Sequence, residues 1–375
     1  MKFKSLVFIL ILMMIVSGCW DHRELSEITV VVGMAVDKSQ DNKYELTVEG
    51  VNAKELSDKT ASGNAPSIVF TLEGETLAEL ARKMNIGISK NLIYSHMKVL
   101  VISEEIFKDG MIYFFDFLER NREIRDDFNI VIARHVKAAD ILKVTYQTQK
   151  SSSLKLHTQL NTLVKSWGGD PDIRLRDVVQ AYTSSGRRGV MTALTIHGKP
   201  EKGVSVNNMN KTTPDAMVVV DSLAIFKKDE LLDFLPLEDT RNYLWLINKL
   251  DKTVLSVKCD KQRYLGVRIF NTITKSKAKV VKGKAIINLK VRGEAYLDSA
   301  QCTDDLTQIK TYEKFARKTE KEIKRTLEAT IKKLQQEYKA DIFGFGEILH
   351  RVNVDVNINL RRSGIRTKSL LSELK

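Results

Sequence analysis

Apolar and polar positions along the chain fall into three patterns. The first is an unbroken apolar run, Leu6 to Val16, which follows Lys2 and Lys4 and precedes Ser17, Gly18 and Cys19. It is about half the roughly 20 residues that a helix needs to cross a hydrocarbon core, so it favours export and cleavage over a permanent span. The second pattern is β-rich or alternating: Ile28 to Val36, Tyr44 to Val51 and Ser67 to Leu72 predict successive strands. The third has the helical period. Leu77, Leu80, Ala81 and Met84 share one face behind Thr76 and Glu79, a capping-box pair, and predict a helix over about 76–90. Met97 to Ile102 and Asn129 to Ala133 are continuous apolar runs that read as buried strands, with an amphipathic stretch from Ile106 to Leu118 between them.

Leu156, Leu160, Leu163 and Val164, then Leu175, Val178, Val179 and Tyr182 beyond the break at Gly168-Gly169-Asp170-Pro171, predict a helical pair. Val190 to Ile196 reads as a strand, and the polar stretch from Gly198 to Pro214 as a long loop. Met217 to Phe226 is β-branched and apolar, and Tyr243, Leu246, Ile247 and Leu250 mark a short helix. Leu265, Val267 and Ile269 alternate with polar positions, and the lysine-rich 275–284 region leads into Ile287, Leu289 and Val291, predicting an antiparallel meander with one solvated face. A stripe from Leu306 to Tyr338 predicts one long helix over about 304–340, with Glu313 and Arg317, Glu320 and Lys324, and Glu328 and Lys332 spaced for ion pairs. Val352, Val354, Val356, Ile358 and Leu360 alternate with polar residues and predict a strand that covers the helix with one face.

These elements define an α+β, multi-domain protein with mixed sheets, packed helices, and a C-terminal antiparallel sheet carrying one long helix. The expected division is a leader over 1–18, an N-terminal α+β domain over 19–200, a linker or long loop over 201–214, and a C-terminal α+β domain over 215–375 with a further split considered near 262.

Charge sharpens this picture. The chain of 375 residues carries a formal +13, and removing the leader takes away only Lys2 and Lys4. Such an excess favours the anionic surface of a membrane or an acidic partner. An exported protein rarely meets nucleic acid, so no nucleic-acid partner is expected. Small residues before Cys19 read as a lipoprotein junction, which makes Cys19 the lipidation site and membrane lipid its partner. Cys259 and Cys302 then remain in an oxidising compartment, where they either pair as a disulfide or stay as small buried hydrophobes; spacing does not choose between these.

Signatures of catalysis are missing. His22, His96, His135, His157, His197 and His350 are scattered without metal-ligand spacing, and Gly344-Phe345-Gly346 does not lie between a strand and a helix as a dinucleotide loop would. There is no G-x-S-x-G elbow and no P-loop. The expectation is therefore no enzyme, no catalytic residues, no metal and no cofactor.

Gly18-Cys19-Trp20-Asp21-His22-Arg23-Glu24-Leu25 and Val32-Gly33-Met34-Ala35-Val36-Asp37 resemble the opening of the Ger(x)C family of spore germination lipoproteins. Thr76 to Lys83, Tyr94-Ser95-His96-Met97-Lys98-Val99, Phe117 to Arg125, Asp341 to Gly346 and Arg361-Arg362-Ser363-Gly364 extend the likeness. One departure is that Glu347 to Arg351 leads almost directly into Val352, where the family pattern has a longer, Trp-containing stretch. The resemblance implies the C subunit of a nutrient germinant receptor, lipid-anchored to the outer face of the spore inner membrane. It also implies A and B membrane subunits as partners, and no enzymatic activity. A second expectation, weighed from anchor and size, is a solute-binding lipoprotein feeding a membrane transporter.

Overall fold

The computed structural model describes residues 27–361 except 58, 109–111, 122, 184–188, 228–229, 282–283, 339–340 and 344–348. The apolar leader, the Cys19 junction, Gly344-Phe345-Gly346 and Arg362-Ser363-Gly364 lie outside the described residues.

In chain order the elements begin with β1 (Ile28–Lys38), β2 (Tyr44–Val51), α1 (Ala53–Leu56), β3 (Ser67–Gly74), α2 (Leu77–Lys83), β4 (Asn91–Ile93), β5 (Val99–Ser103) and α3 (Ile112–Arg120). They continue with β6 (Asn129–Ala133), α4 (Ala138–Lys143), α5 (Ser152–Ser166), α6 (Leu175–Thr183), β7 (Val190–Gly198), α7 (Pro200–Gly203), α8 (Val206–Met209), β8 (Ala216–Lys227) and β9 (Glu230–Pro236). One sheet collects all of these strands in the order β3-β2-β1-β5-β6-β7-β8-β9, with β4 set against β1. Its centre, β1-β5-β6-β7, is parallel, and both flanks are antiparallel.

Continuous apolar runs in β5 and β6 follow from burial on both faces. Leu100, Ile102, Ile130 and Ile132 point into the core under α2 and α3, while Val99, Val101, Val131 and Ala133 point into a second core with Ile141 and Leu142 of α4 and Leu156 and Leu160 of α5. The helix expected to reach residue 90 stops earlier, at Lys83, and passes into a 3₁₀ turn over Met84–Ile86. Gly87 follows, where an added Cβ would lie 2.2 Å from the Phe70 ring of β3. Thr76 caps α2 as its spacing predicts, accepting from the Glu79 amide at 3.3 Å.

The polar stretch expected as a loop holds α7 and α8 instead. Asn208 organises it: its Nδ2 donates to the Thr145 and Ala216 carbonyls and its Oδ1 accepts from the Asp215 and Ala216 amides. A buried, fully bonded asparagine leaves no apolar signal in the sequence, which is why the segment reads as loop. Beyond it, β8 pairs onto β7 and β9 onto β8, so the large sheet continues past residues 201–214.

The chain then enters α9 (Leu237–Leu246) and builds a second sheet from β10 (Thr253–Lys258), β11 (Tyr264–Val281) and β12 (Lys284–Ala300), followed by α10 (Ile309–Gln336) and β13 (Leu349–Arg361). The lysine-rich segment is the outer half of β11. The first three strands are antiparallel, as the alternation predicts, and β13 joins β12 in parallel because α10 carries the chain back along the sheet. Phe315, Ile323, Leu327, Ile331 and Leu334 of α10 are buried, as are Val354 and Ile358 of β13. None of the three expected helical ion pairs forms among the described residues: Lys324 lies 3.9 Å from Glu328 instead, and Glu320 accepts the Ile358 amide at 2.9 Å, tying α10 to β13.

Candidate functional site

Three segments far apart in the sequence meet around one cavity of about 820 Å³ in the first sheet's helical layer. Ala78, Ala81 and Arg82 come from α2, Tyr94 from the turn after β4, and Phe117, Arg120, Asn121 and Glu123 from α3 and its C-terminal turn. These belong to the Thr76–Lys83, Tyr94–Val99 and Phe117–Arg125 segments on which the Ger(x)C resemblance rests. Tyr94 is buried and donates from its hydroxyl to the Ala81 carbonyl at 3.1 Å, which locks α2 to the following turn. Burial pushes its phenol pKa upward, so it stays a neutral donor. Arg82 and Glu123 approach to 3.6 Å across the rim, and Arg120 donates to Asp116 at 2.8 Å. Cations, carboxylates and the Asn85 amide thus surround a partly apolar floor of Leu92 and Phe117. Such a surface can receive a polar group that both donates and accepts hydrogen bonds.

A second cavity, about 620 Å³, lies where the two sheets meet, between Trp167, α9, β10 and α10. Arg241 of α9 is 6% exposed and its guanidinium lies 5.2 Å from the Trp167 ring centroid. Burial holds its pKa below the usual arginine range. Asp239 accepts from Thr330 and from Lys333, and Thr330 also accepts from Asn242 at 3.0 Å, so α9 and α10 are stitched by polar contacts.

Two of the deeply buried carboxylates serve helix ends. Asp37 accepts from the Ala138 and Ala139 amides at 2.7 and 2.9 Å, at the start of α4. Glu49 accepts from the Ser151 and Ser153 hydroxyls and the Ser152 and Ser153 amides at the start of α5. Orphan amides at a helix N-terminus favour a negative group, which accounts for both placements. Burial nevertheless raises the Asp37 pKa to about 6, against the pull of its two amide bonds and Lys137. Asp170 is likewise pushed up to about 6 by burial, although Thr192 and the Asp172 amide bond it.

Among the expected site residues, Cys19 lies outside the described residues. Cys259 and Cys302 are brought together with sulfurs in bonding contact and Cα atoms 6.4 Å apart, joining the turn after β10 to the segment after β12. Of the histidines, His157 bonds Asn129 at 2.7 Å and His135 sits 3.9 Å from Glu104. Among the described residues no group of three or more His, Cys, Asp and Glu side chains is placed to hold a metal, and no helix is long and apolar enough to cross a membrane.

Two family models match this chain. One, described as spore germination protein N-terminal domain, covers residues 21–196, and the other, described as spore germination B3/GerAC-like C-terminal, covers residues 221–356. Among curated relatives, spore germination protein KC of Bacillus subtilis (strain 168) is 26% identical over 399 residues, with 98% of each chain covered. Spore germination protein B3 of the same organism is 25% identical over 348 residues, covering 91% of this chain and 86% of the relative. The crystal structure of the GerBC protein shares the fold, with a TM-score of 0.54 at 17% identity, covering 88% of this chain and 96% of that one. The paired family matches, over most of the chain, place it among spore germination proteins. The chain belongs to the Ger(x)C family.

Proposed function

We propose that this chain is the C subunit of a spore nutrient germinant receptor: a non-catalytic body, lipid-anchored through Cys19 at the outer face of the spore inner membrane, and needed for assembly or function of a complex with A and B membrane subunits. The observation that carries the reading is a pair of family matches, one over residues 21–196, beginning just beyond Cys19, and one over residues 221–356. Asp37 and Glu49 fit a non-catalytic role, because their acceptor capacity is spent on serines and helix amides. Confinement by lipid supplies the mechanism: an anchored body meets membrane-embedded partners at a far higher effective concentration than a free one. A diacylglyceryl group carries two chains, and each buried methylene contributes about 0.8 kcal/mol, so the attachment is stable without a spanning helix.

Spores carrying Cys19→Ala test this. The expected outcome is a folded protein released from spore membranes and a weakened response to the receptor's nutrient. A variant that stays membrane-bound through a high-salt wash contradicts lipid as the main anchor, and an unchanged nutrient response contradicts the role in the receptor.

A further inference from the structure

The solvent face of the second sheet is charged very unevenly along its length. At the β10 end its charges are interleaved: Arg268 grips Asp298 with two bonds, and Arg361 bonds Glu294 at 2.6 Å. At the opposite end, where β11 turns into β12, the same face carries Lys275, Lys277 and Lys279 on β11, Lys290 and Arg292 on β12, and Arg351 on β13. All six are exposed, and among the described residues none of them makes an ion pair. Asp355, opposite Lys290, is the acid that β13 contributes there.

Register makes this costly. Lys275 lies directly opposite Lys290, and like charges facing each other across neighbouring strands repel and destabilise the pair. Solubility alone does not need that arrangement, since the β10 end reaches a charged surface with opposite charges alternating. An apolar side chain stands among the cations as well: Ile273, opposite Arg292, is 52% exposed on this face.

We infer that this end of the sheet is a membrane-contact surface that lies on anionic phospholipid. The cations meet headgroup phosphates, while Ile273 reaches the boundary of the acyl region. A basic array around an exposed apolar side chain matches an anionic interface on both counts. An acidic protein would satisfy the cations but leave Ile273, half exposed among them, without a reason to be apolar. The inference extends the anchored reading by fixing which face of the body the membrane meets.

The test uses the full chain in vesicles of phosphatidylcholine alone and of phosphatidylcholine with added phosphatidylglycerol. A membrane-impermeant acylating reagent reports lysine accessibility, with peptides resolved by mass spectrometry. Lys275, Lys277, Lys279 and Lys290 are expected to react several-fold more slowly on the anionic vesicles, while exposed Lys321 of α10 reacts equally on both. The protection should vanish in about 1 M salt, where the screening length falls to about 3 Å. Equal rates on the two vesicles overturn the inference, as does protection seen only in native membranes, which assigns the face to an acidic protein. Flotation with neutral vesicles reads the lipid anchor separately. Its failure would count against Cys19 anchoring while composition-dependent protection still supported the basic face.

Discussion

Asp37 shows how a residue can stabilise local structure and still weaken the fold at neutral pH. Its carboxylate satisfies two amides of α4, yet burial holds its folded pKa near 6 against an ordinary 3.8. Between these values the folded state binds more protons than the unfolded state, so stability falls as pH rises from about 4 to about 6, and the penalty is complete above that. A shift of about two units corresponds to roughly 3 kcal/mol as an upper figure. Asp37→Asn should therefore gain on the native chain as pH rises through this window, as read by urea unfolding at several pH values; a constant difference across the window contradicts it. Neither Asp37 nor Glu49 was legible as a buried cap. Glu49 sits in an alternating stretch whose polar positions read as solvated and Asp37 follows the end of an apolar run, and only the return of α4 and α5 over the strand ends encloses them. Gly33 belongs to the same junction, since a Cβ there would lie 1.8 Å from the Ser153 hydroxyl that bonds Glu49.

Among elements, legibility followed length and period. α10 and β13 stand in the structure close to where their stripe and alternation place them, because each buries one face over many residues. Three shorter elements left no such trace. β10 alternates, but Val254 occupies an exposed position and blurs the pattern. β9 carries Leu231, Leu232, Phe234 and Leu235 on both parities, and α4 spans only Ala138–Lys143, with its first amides held by Asp37 rather than by a local cap. Cys259 and Cys302 close about 44 residues of β11 and β12, and a bridge over such a loop contributes about 2–4 kcal/mol. Replacing both with serine should lower stability by that amount, and the native chain should show no free thiol at either position after denaturation without reductant. Unchanged stability or two titratable thiols would contradict the pairing.

Across the whole molecule, the strand-helix-strand order and the later meander were enough to define an α+β protein with two sheets, whereas the joint between them was not. α9 makes that joint with buried Tyr243, Leu244, Trp245 and Leu246, and also hides Arg241 and Asn242, whose polarity masks the start of the helix. The candidate cavity was legible only in pieces: its three segments could be quoted one by one, but their meeting depends on the sheet that brings α2, Tyr94 and α3 together. Cys19 remains the residue on which the account's view of the molecule as an anchored subunit turns. The most direct test is affinity purification of the detergent-solubilised protein from spore membranes, native and Cys19→Ala in parallel. A-like and B-like membrane subunits should be recovered with the native form and depleted from the variant; recovery of no such subunits, or of a transporter permease with its ATPase, would contradict the receptor reading.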